Sequence, residues 1–262
     1  LSSEKTLLDS LLIEITNQES IIEEVALYKS SHTEALILTV DTVQISNRGI
    51  VEAAQNAYDL LSLDAKALLL AEKAVLDYLI IEIDRKESVQ SEVASYALTH
   101  SLTLSLTLSS VQISDKDDIQ SALLAYSLLS SDAKAQLTEQ KVLLDNLLSE
   151  IHRKENVQNE ISTYLLNHSQ ALGLTVLTVT SFDRSIVESA LYAYAYLSDD
   201  AKASLNTQKV LLDNLLVEIN RQEAVLQEVS SFKVNHAQSL ILTVNTVKTT
   251  DKAVVETALA AY

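Results

Sequence analysis

Between residues 62 and 99 apolar side chains recur at helical spacing. Leu76, Leu79, Ile80 and Ile83 form one stripe, and after a polar stretch from Asp84 to Ser88 it resumes at Val89, Val93 and Tyr96. Nothing in the polar stretch breaks a helix. The pattern therefore predicts one helix from Ser62 to about Thr99, about 55 Å long at ~1.5 Å per residue. A break near Asp84, giving two shorter helices, is the alternative. Ser62 as N-cap and Asp64 in the first turn supply the start signal. The period then changes to two: Leu104, Leu106 and Leu108 alternate with Ser105 and Thr107, which predicts an extended connector or short β-segment. Helical spacing returns at Asp115, read as the N-cap of a short helix over about 116–129, with Ile119, Ala122, Leu123 and Tyr126 on its apolar face.

The whole pattern recurs every 68 residues without insertion or deletion. Lys5, Lys73, Lys141 and Lys209 keep this step, as do Asp9, Asp77, Asp145 and Asp213. Glu14, Glu82, Glu150 and Glu218 share a register, and so do Tyr58, Tyr126, Tyr194 and Tyr262. Tyr28, Tyr96 and Tyr164 form another, with Phe232 as its fourth member. The period-two segments sit at Leu36-x-Leu38-x-Val40, Leu172-x-Leu174-x-Val176 and Leu240-x-Leu242-x-Val244, with Thr39, Thr107, Thr175 and Thr243 in one register. Asn47, Asp183 and Asp251 match Asp115. The expected fold is mainly α: a tandem helical repeat whose unit is long helix, extended connector, short helix, stacked into an elongated rod or superhelix. The repeats run 1–61 (partial, entering mid-helix), 62–129, 130–197 and 198–262 (partial). A lone short helix is marginal in water, so neighbouring repeats of the same polypeptide are the first expected partners.

Composition narrows the function. Pro, Cys, Met and Trp are absent and only Gly49 and Gly173 supply glycine, which favours long helices over tight turns. Lack of Cys excludes disulfides and thiolate metal sites. Lack of Met leads to the expectation that the sequence is a segment of a longer polypeptide whose array continues. A formal charge of −17 opposes binding to nucleic acid. No apolar run approaches the ~18 residues of a membrane span, so no membrane insertion is expected in this segment.

The short helix plus the start of the next long one reads Asp115-Lys116-x-x-Ile119-x-x-Ala122-Leu123-x-Ala125-Tyr126-x-x-Leu129-Ser130-x-Asp132-Ala133-Lys134. The fourth copy opens Asp251-Lys252-x-x-Val255-Glu256-x-Ala258-Leu259-x-Ala261-Tyr262. This resembles the helical repeat modules of large secreted and cell-surface proteins of bacteria and, more loosely, FIVAR and albumin-binding GA-type modules. The resemblance covers roughly half of each unit. The Leu-x-Leu-Thr-Val connector lies outside it, and the Leu-Pro step common before the short helix in those modules is missing. The resemblance implies an extracellular or cell-surface spacer or binding unit rather than an enzyme.

Candidate chemistry is sparse. His32, His100, His168 and His236 recur near the end of the long helix, where a helix C-terminus favours the imidazole; they form a candidate pH-sensitive register. No His partner at metal-ligand spacing accompanies them, and His152 stands outside the register. Lys73 and Asp77, at i and i+4, read as helix support of about 0.2–0.5 kcal/mol. Glu19, Glu87, Glu155 and Glu223 recur without an evident helix role and form the candidate binding-face register. The Tyr registers read as packing with hydroxyls seeking a partner. Asn167-His168-Ser169 is a glycosylation sequon present in one copy. No Gly-rich phosphate loop, nucleophile elbow or Ca²⁺ loop is present, and no cofactor is expected. Because every feature is repeated, the chain is not expected to be an enzyme. The expected function is a structural stalk, spacer or fibre-forming region of a large bacterial surface protein; lateral or end-to-end self-association into a filament is a further alternative. The alternative is a multivalent adhesin-type region that engages a protein ligand through each repeat.

Overall fold

The computed structural model describes residues 2–262. Among them the chain is mainly helical, with fifteen α-helices and no strand. Leu1, in register with Leu69, lies outside the described residues. The helices fall into two compact units, Leu1–Leu148 and Ser149–Tyr262. No helix among the described residues is long and apolar enough to cross a membrane.

The first unit holds α1 (Ser2–Ser31), α2 (Thr33–Leu36), α3 (Arg48–Asp59), α4 (Leu63–Leu68), α5 (Leu70–Thr99), α6 (Ser101–Leu104), α7 (Lys116–Leu128) and α8 (Ser131–Gln136). It also includes the start of α9 (Thr138–Asn167). The rest of α9 belongs to the second unit with α10 (Ser169–Leu172), α11 (Arg184–Ala195), α12 (Asp199–Ser204), α13 (Asn206–Asn235), α14 (Ala237–Leu240) and α15 (Lys252–Ala261). Helix α5 is 30 residues long and unbroken through Asp84–Ser88, so it spans about 45 Å at ~1.5 Å per residue.

In the first unit α3 packs on α5, and the stripe read from the sequence becomes the core: Leu76, Leu79 and Ile83 close over Val43, Val51 and Ala54, all fully buried. Tyr28 and Tyr58 meet edge to face at 6.3 Å and pack in one cluster with the buried Leu69. In the second unit α11 packs on α13 with the same residue classes: Val179, Val187 and Ala190 against Leu212, Leu215 and Ile219. Ser62, Ser130 and Ser198 cap as expected, each hydroxyl accepting from the N–H of Ala65, Ala133 or Ala201 at 3.2–3.3 Å.

Three expectations are corrected. The period-two segment is neither extended nor a strand. Its first leucine (Leu36, Leu104, Leu172, Leu240) closes a four-residue helix, and a hydrogen-bonded turn follows. The Thr39 N–H donates to Thr42 Oγ1 at 2.9 Å, and the Thr39 carbonyl accepts from Val43 N–H at 2.9 Å. Thr107 with Ser110, Thr175 with Thr178 and Thr243 with Thr246 build the same turn. Hydroxyls three residues apart satisfy the backbone locally, so no sheet partner is needed. The alternation survives only as Leu36 and Leu38 facing the core, while Val40 is exposed.

The second correction concerns the start of the long helix. The chain leaves helical geometry at Leu69 (φ −115°, ψ 18°), so Leu63–Leu68 is a separate helix. Leu137 and Leu205 make the same break. This leucine is buried in all three described copies, against Tyr28 and Tyr58 in the first. The third concerns Asn47 and its Asp equivalents, which do not cap forward. The Asn47 side-chain oxygen accepts from the Gln44 N–H, three residues earlier, at 2.8 Å. Asp115, Asp183 and Asp251 do the same for Gln112, Thr180 and Lys248 at 2.8–2.9 Å. They fix a 3₁₀ turn that leads into the helix.

Candidate functional site

The Glu register has a structural occupation, described at Glu87 and Glu223. Arg48 reaches from the first turn of α3 to Glu87 on α5 with Nε and one Nη, both at 2.9 Å. The same guanidinium meets Glu52 and Asp84. Arg184 on α11 holds Glu223 on α13 at 2.7 and 2.6 Å and also meets Glu188 and Asn220. A two-pronged guanidinium–carboxylate contact is the strong form of this pairing. Arg184 holds Glu223 below the usual carboxylate range. Glu87 raises Arg48 above the ordinary Arg value, and Glu223 does so for Arg184. Glu155 is half-buried on α9 and Glu19 is exposed on α1. Each Glu thus sits on its own long helix. The basic register Arg48, Lys116, Arg184, Lys252, 39 residues ahead of Glu87 and Glu223, is the sequence signal for this pairing.

The His register marks the joint after each long helix. His100 follows α5 and precedes α6, its N–H bonded to Tyr96 O at 3.0 Å and its carbonyl accepting from Leu104 N–H at 2.9 Å. Its ring lies 4.9 Å from that of Tyr96. His32, His168 and His236 pack likewise on Tyr28, Tyr164 and Phe232 at 4.7–5.1 Å. Each imidazole is half-buried against its aromatic neighbour. No group of three or more His, Asp or Glu able to hold a metal occurs among the described residues.

The tyrosine hydroxyls are engaged with backbone. Tyr28, Tyr96 and Tyr164 donate to the carbonyls of Ala54, Ala122 and Ala190 at 3.1–3.2 Å. Tyr58, Tyr126 and Tyr194 donate to Lys66, Lys134 and Lys202 at 2.9–3.1 Å. Burial raises the pKa of Tyr28, Tyr96 and Tyr164, which keeps them as donors.

A further register escaped sequence reading. Glu24, Glu92 and Glu160 accept the backbone N–H of Ser62, Ser130 and Ser198 at 2.8–2.9 Å, each 38 residues ahead. The N-cap serine is therefore held twice, by its own helix through Oγ and by a preceding long helix through its N–H. These bonds pull Glu24, Glu92 and Glu160 below the ordinary carboxylate pKa. The signal was there in the fixed Glu-to-Ser spacing.

A concavity of about 940 Å³ in the first unit lies where Gln44–Ser46, α5 and α8 meet. Arg85 lines it, anchored by Glu82 at 2.8 and 2.6 Å and paired across the cleft with Asp132. In the second unit a cleft of about 390 Å³ is lined by Arg153 and Asp200, with Arg153 anchored by Glu150 at 2.8 and 2.7 Å. Arg85 and Arg153 hold Glu82 and Glu150 below the carboxylate range, so both are ionised at neutral pH. The clefts offer hydrogen bonds and paired charges. No protein-family model, curated protein or solved structure matches the chain.

Proposed function

We propose that the chain is a structural spacer or stalk segment of a large bacterial surface or extracellular protein, built from 68-residue units stacked into a rod or superhelix, and that it is not an enzyme. The observation that carries this reading is the recurrence, copy after copy, of the contacts that hold one helix to the next. The Glu–Ser latch, the Tyr hydroxyl bonds and the Ser caps each occur three times, and all serve cohesion. Such units add length, because each one contacts its neighbours and little else. The secreted modules that the sequence resembles fit the same role.

The second reading is multivalent binding, in which each unit takes the same protein ligand and avidity comes from repetition. The cleft beside Arg85 and Asp132, met again at Arg153 and Asp200, favours it. Immobilised chain probed with a panel of serum and extracellular-matrix proteins separates the two. The spacer reading expects no saturable binding. Saturable binding that Arg85→Ala and Arg153→Ala together remove would replace it with the second.

A further inference from the structure

Inside the chain one joint occurs in the same form in both units. Val43, Val51 and Ala54 meet Leu76, Leu79 and Ile83 in the first; Val179, Val187 and Ala190 meet Leu212, Leu215 and Ile219 in the second. Two polar locks flank it. One is the Arg48–Glu87 or Arg184–Glu223 pair. The other is a side chain on the long helix that donates to the valine carbonyl: Lys86 to Val43 at 2.5 Å, Gln222 to Val179 at 2.9 Å.

Each half of this joint also stands alone at one place. On α1, Leu8, Leu11 and Ile15 hold the registers of Leu76, Leu79 and Ile83, and they are 65%, 49% and 52% exposed where the latter are fully buried. At α15, Val247, Val255 and Ala258 hold the registers of Val43, Val51 and Ala54, with Val247 and Val255 46% and 39% exposed. The locks are also split between the two faces. Glu19 and Gln18 on α1 stand in the registers of Glu223 and Gln222, and Lys252 on α15 stands in that of Arg184.

We propose that a second copy of this chain docks head to tail, its α1 seating on the α15 face. The apolar halves match, Lys252 meets Glu19, and Gln18 donates to the Val247 carbonyl. Pairing of two α1 faces is opposed by charge, because that helix carries six carboxylates against two lysines. A joint between two different faces leaves one face free at each end of a pair, so association continues past the dimer. A further unit of the same sequence would seat on the α15 face by the same contacts; for residues 1–262 the occupant is a second copy. The inference rests on the stacked-unit reading.

Sedimentation velocity across a wide concentration range tests it. The chain is expected to grow past the dimer as concentration rises. Leu11→Glu and Val255→Glu, both on exposed positions, are each expected to stay monomeric with unchanged helical circular dichroism. Mixed, they are expected to form a dimer and stop, since each retains the face that the other lacks. Glu19→Lys and Lys252→Glu provide a second pair that leaves the apolar faces untouched: each alone weakens association and the mixture restores it. A wild-type chain that remains monomeric throughout, or that plateaus as a dimer, overturns the proposal, as does association of Leu11→Glu alone. A monomer that still scatters as a rod sinks this inference and leaves the spacer reading; a compact particle sinks the reading beneath it.

Discussion

Glu92 on α5 accepts the backbone N–H of Ser130, 38 residues further along, at 2.9 Å. That one bond ties the start of α8 to the middle of the long helix on which it packs. Glu92→Ala leaves the Ser130 N–H without this acceptor, and Glu92→Gln keeps an acceptor but loses the charge. Both variants are expected to lower the melting temperature, the alanine more. Amide exchange of Ser130 is expected to speed up in the alanine variant; unchanged protection would show that the bond does not hold this helix end.

Leu79 is fully buried at the centre of the α3–α5 joint. Leu79→Ala is expected to cost about 2–5 kcal/mol, the range for a large-to-small change that leaves a cavity. Chemical denaturation of the two proteins measures it. A cost below about 1 kcal/mol would mean that the joint collapses around the gap and is not closely packed.

Gly49 lies in the first turn of α3, and a Cβ there would meet nothing within 4 Å. The same register holds Asp117, Ser185 and Ala253. Gly49→Ala is expected to stabilise by about 0.4–1 kcal/mol by reducing the freedom of the unfolded chain. Thermal unfolding shows the sign directly.

One exchange between copies marks a matched pair. Lys29 meets Glu72 at 2.6 Å, and Lys29 holds Glu72 below the usual carboxylate pKa. In the next two copies the lysine register is Ala97 and Leu165, and the glutamate register is Gln140 and Gln208, each with a buried Oε1 that makes no hydrogen bond. Gln208→Glu alone is expected to destabilise, because it buries a carboxylate where no lysine stands. Leu165→Lys with Gln208→Glu is expected to recover the loss. A double-mutant cycle reads the coupling, and a coupling of zero would contradict the register argument.

Acid should unfold the protein in a defined window. Glu218 is held at about 2 by Arg221 and then Gln222, against an ordinary value of 4.5. The depressed carboxylate stabilises the fold fully above 4.5, and that stabilisation is lost as pH falls from there toward about 2. Glu24, Glu82, Glu92, Glu150 and Glu160 shift in the same direction. The melting temperature should therefore fall below about pH 4.5, and Glu218→Gln should lose part of that slope.

Much of the fold was legible from periodicity. The stripe Leu76, Leu79, Ile83 and Tyr96 is the buried face, and Ser62 caps where its position predicts. What was misread lies where local hydrogen bonding competes with pattern. Leu104-x-Leu106-x-Leu108 alternates like a strand, yet the hydroxyls of Thr107 and Ser110 close a turn instead. Leu69 sits within a helical pattern, yet the helix breaks there, with the leucine buried against Tyr28 and Tyr58. The Glu87 register stood out, but its partner Arg48 lies 39 residues earlier and helical spacing does not link them. Pairings of this kind appear only when spacings are compared between registers rather than within one.

Small-angle scattering from residues 1–262 tests the stacked-unit account most directly. A compact domain of 262 residues has a radius of gyration of about 18 Å. The account predicts a value well above this, with a rod-like cross-section that stays constant when one 68-residue copy is duplicated in tandem while the maximum dimension grows. A radius near the compact value, or a duplicated chain that thickens without lengthening, would contradict it.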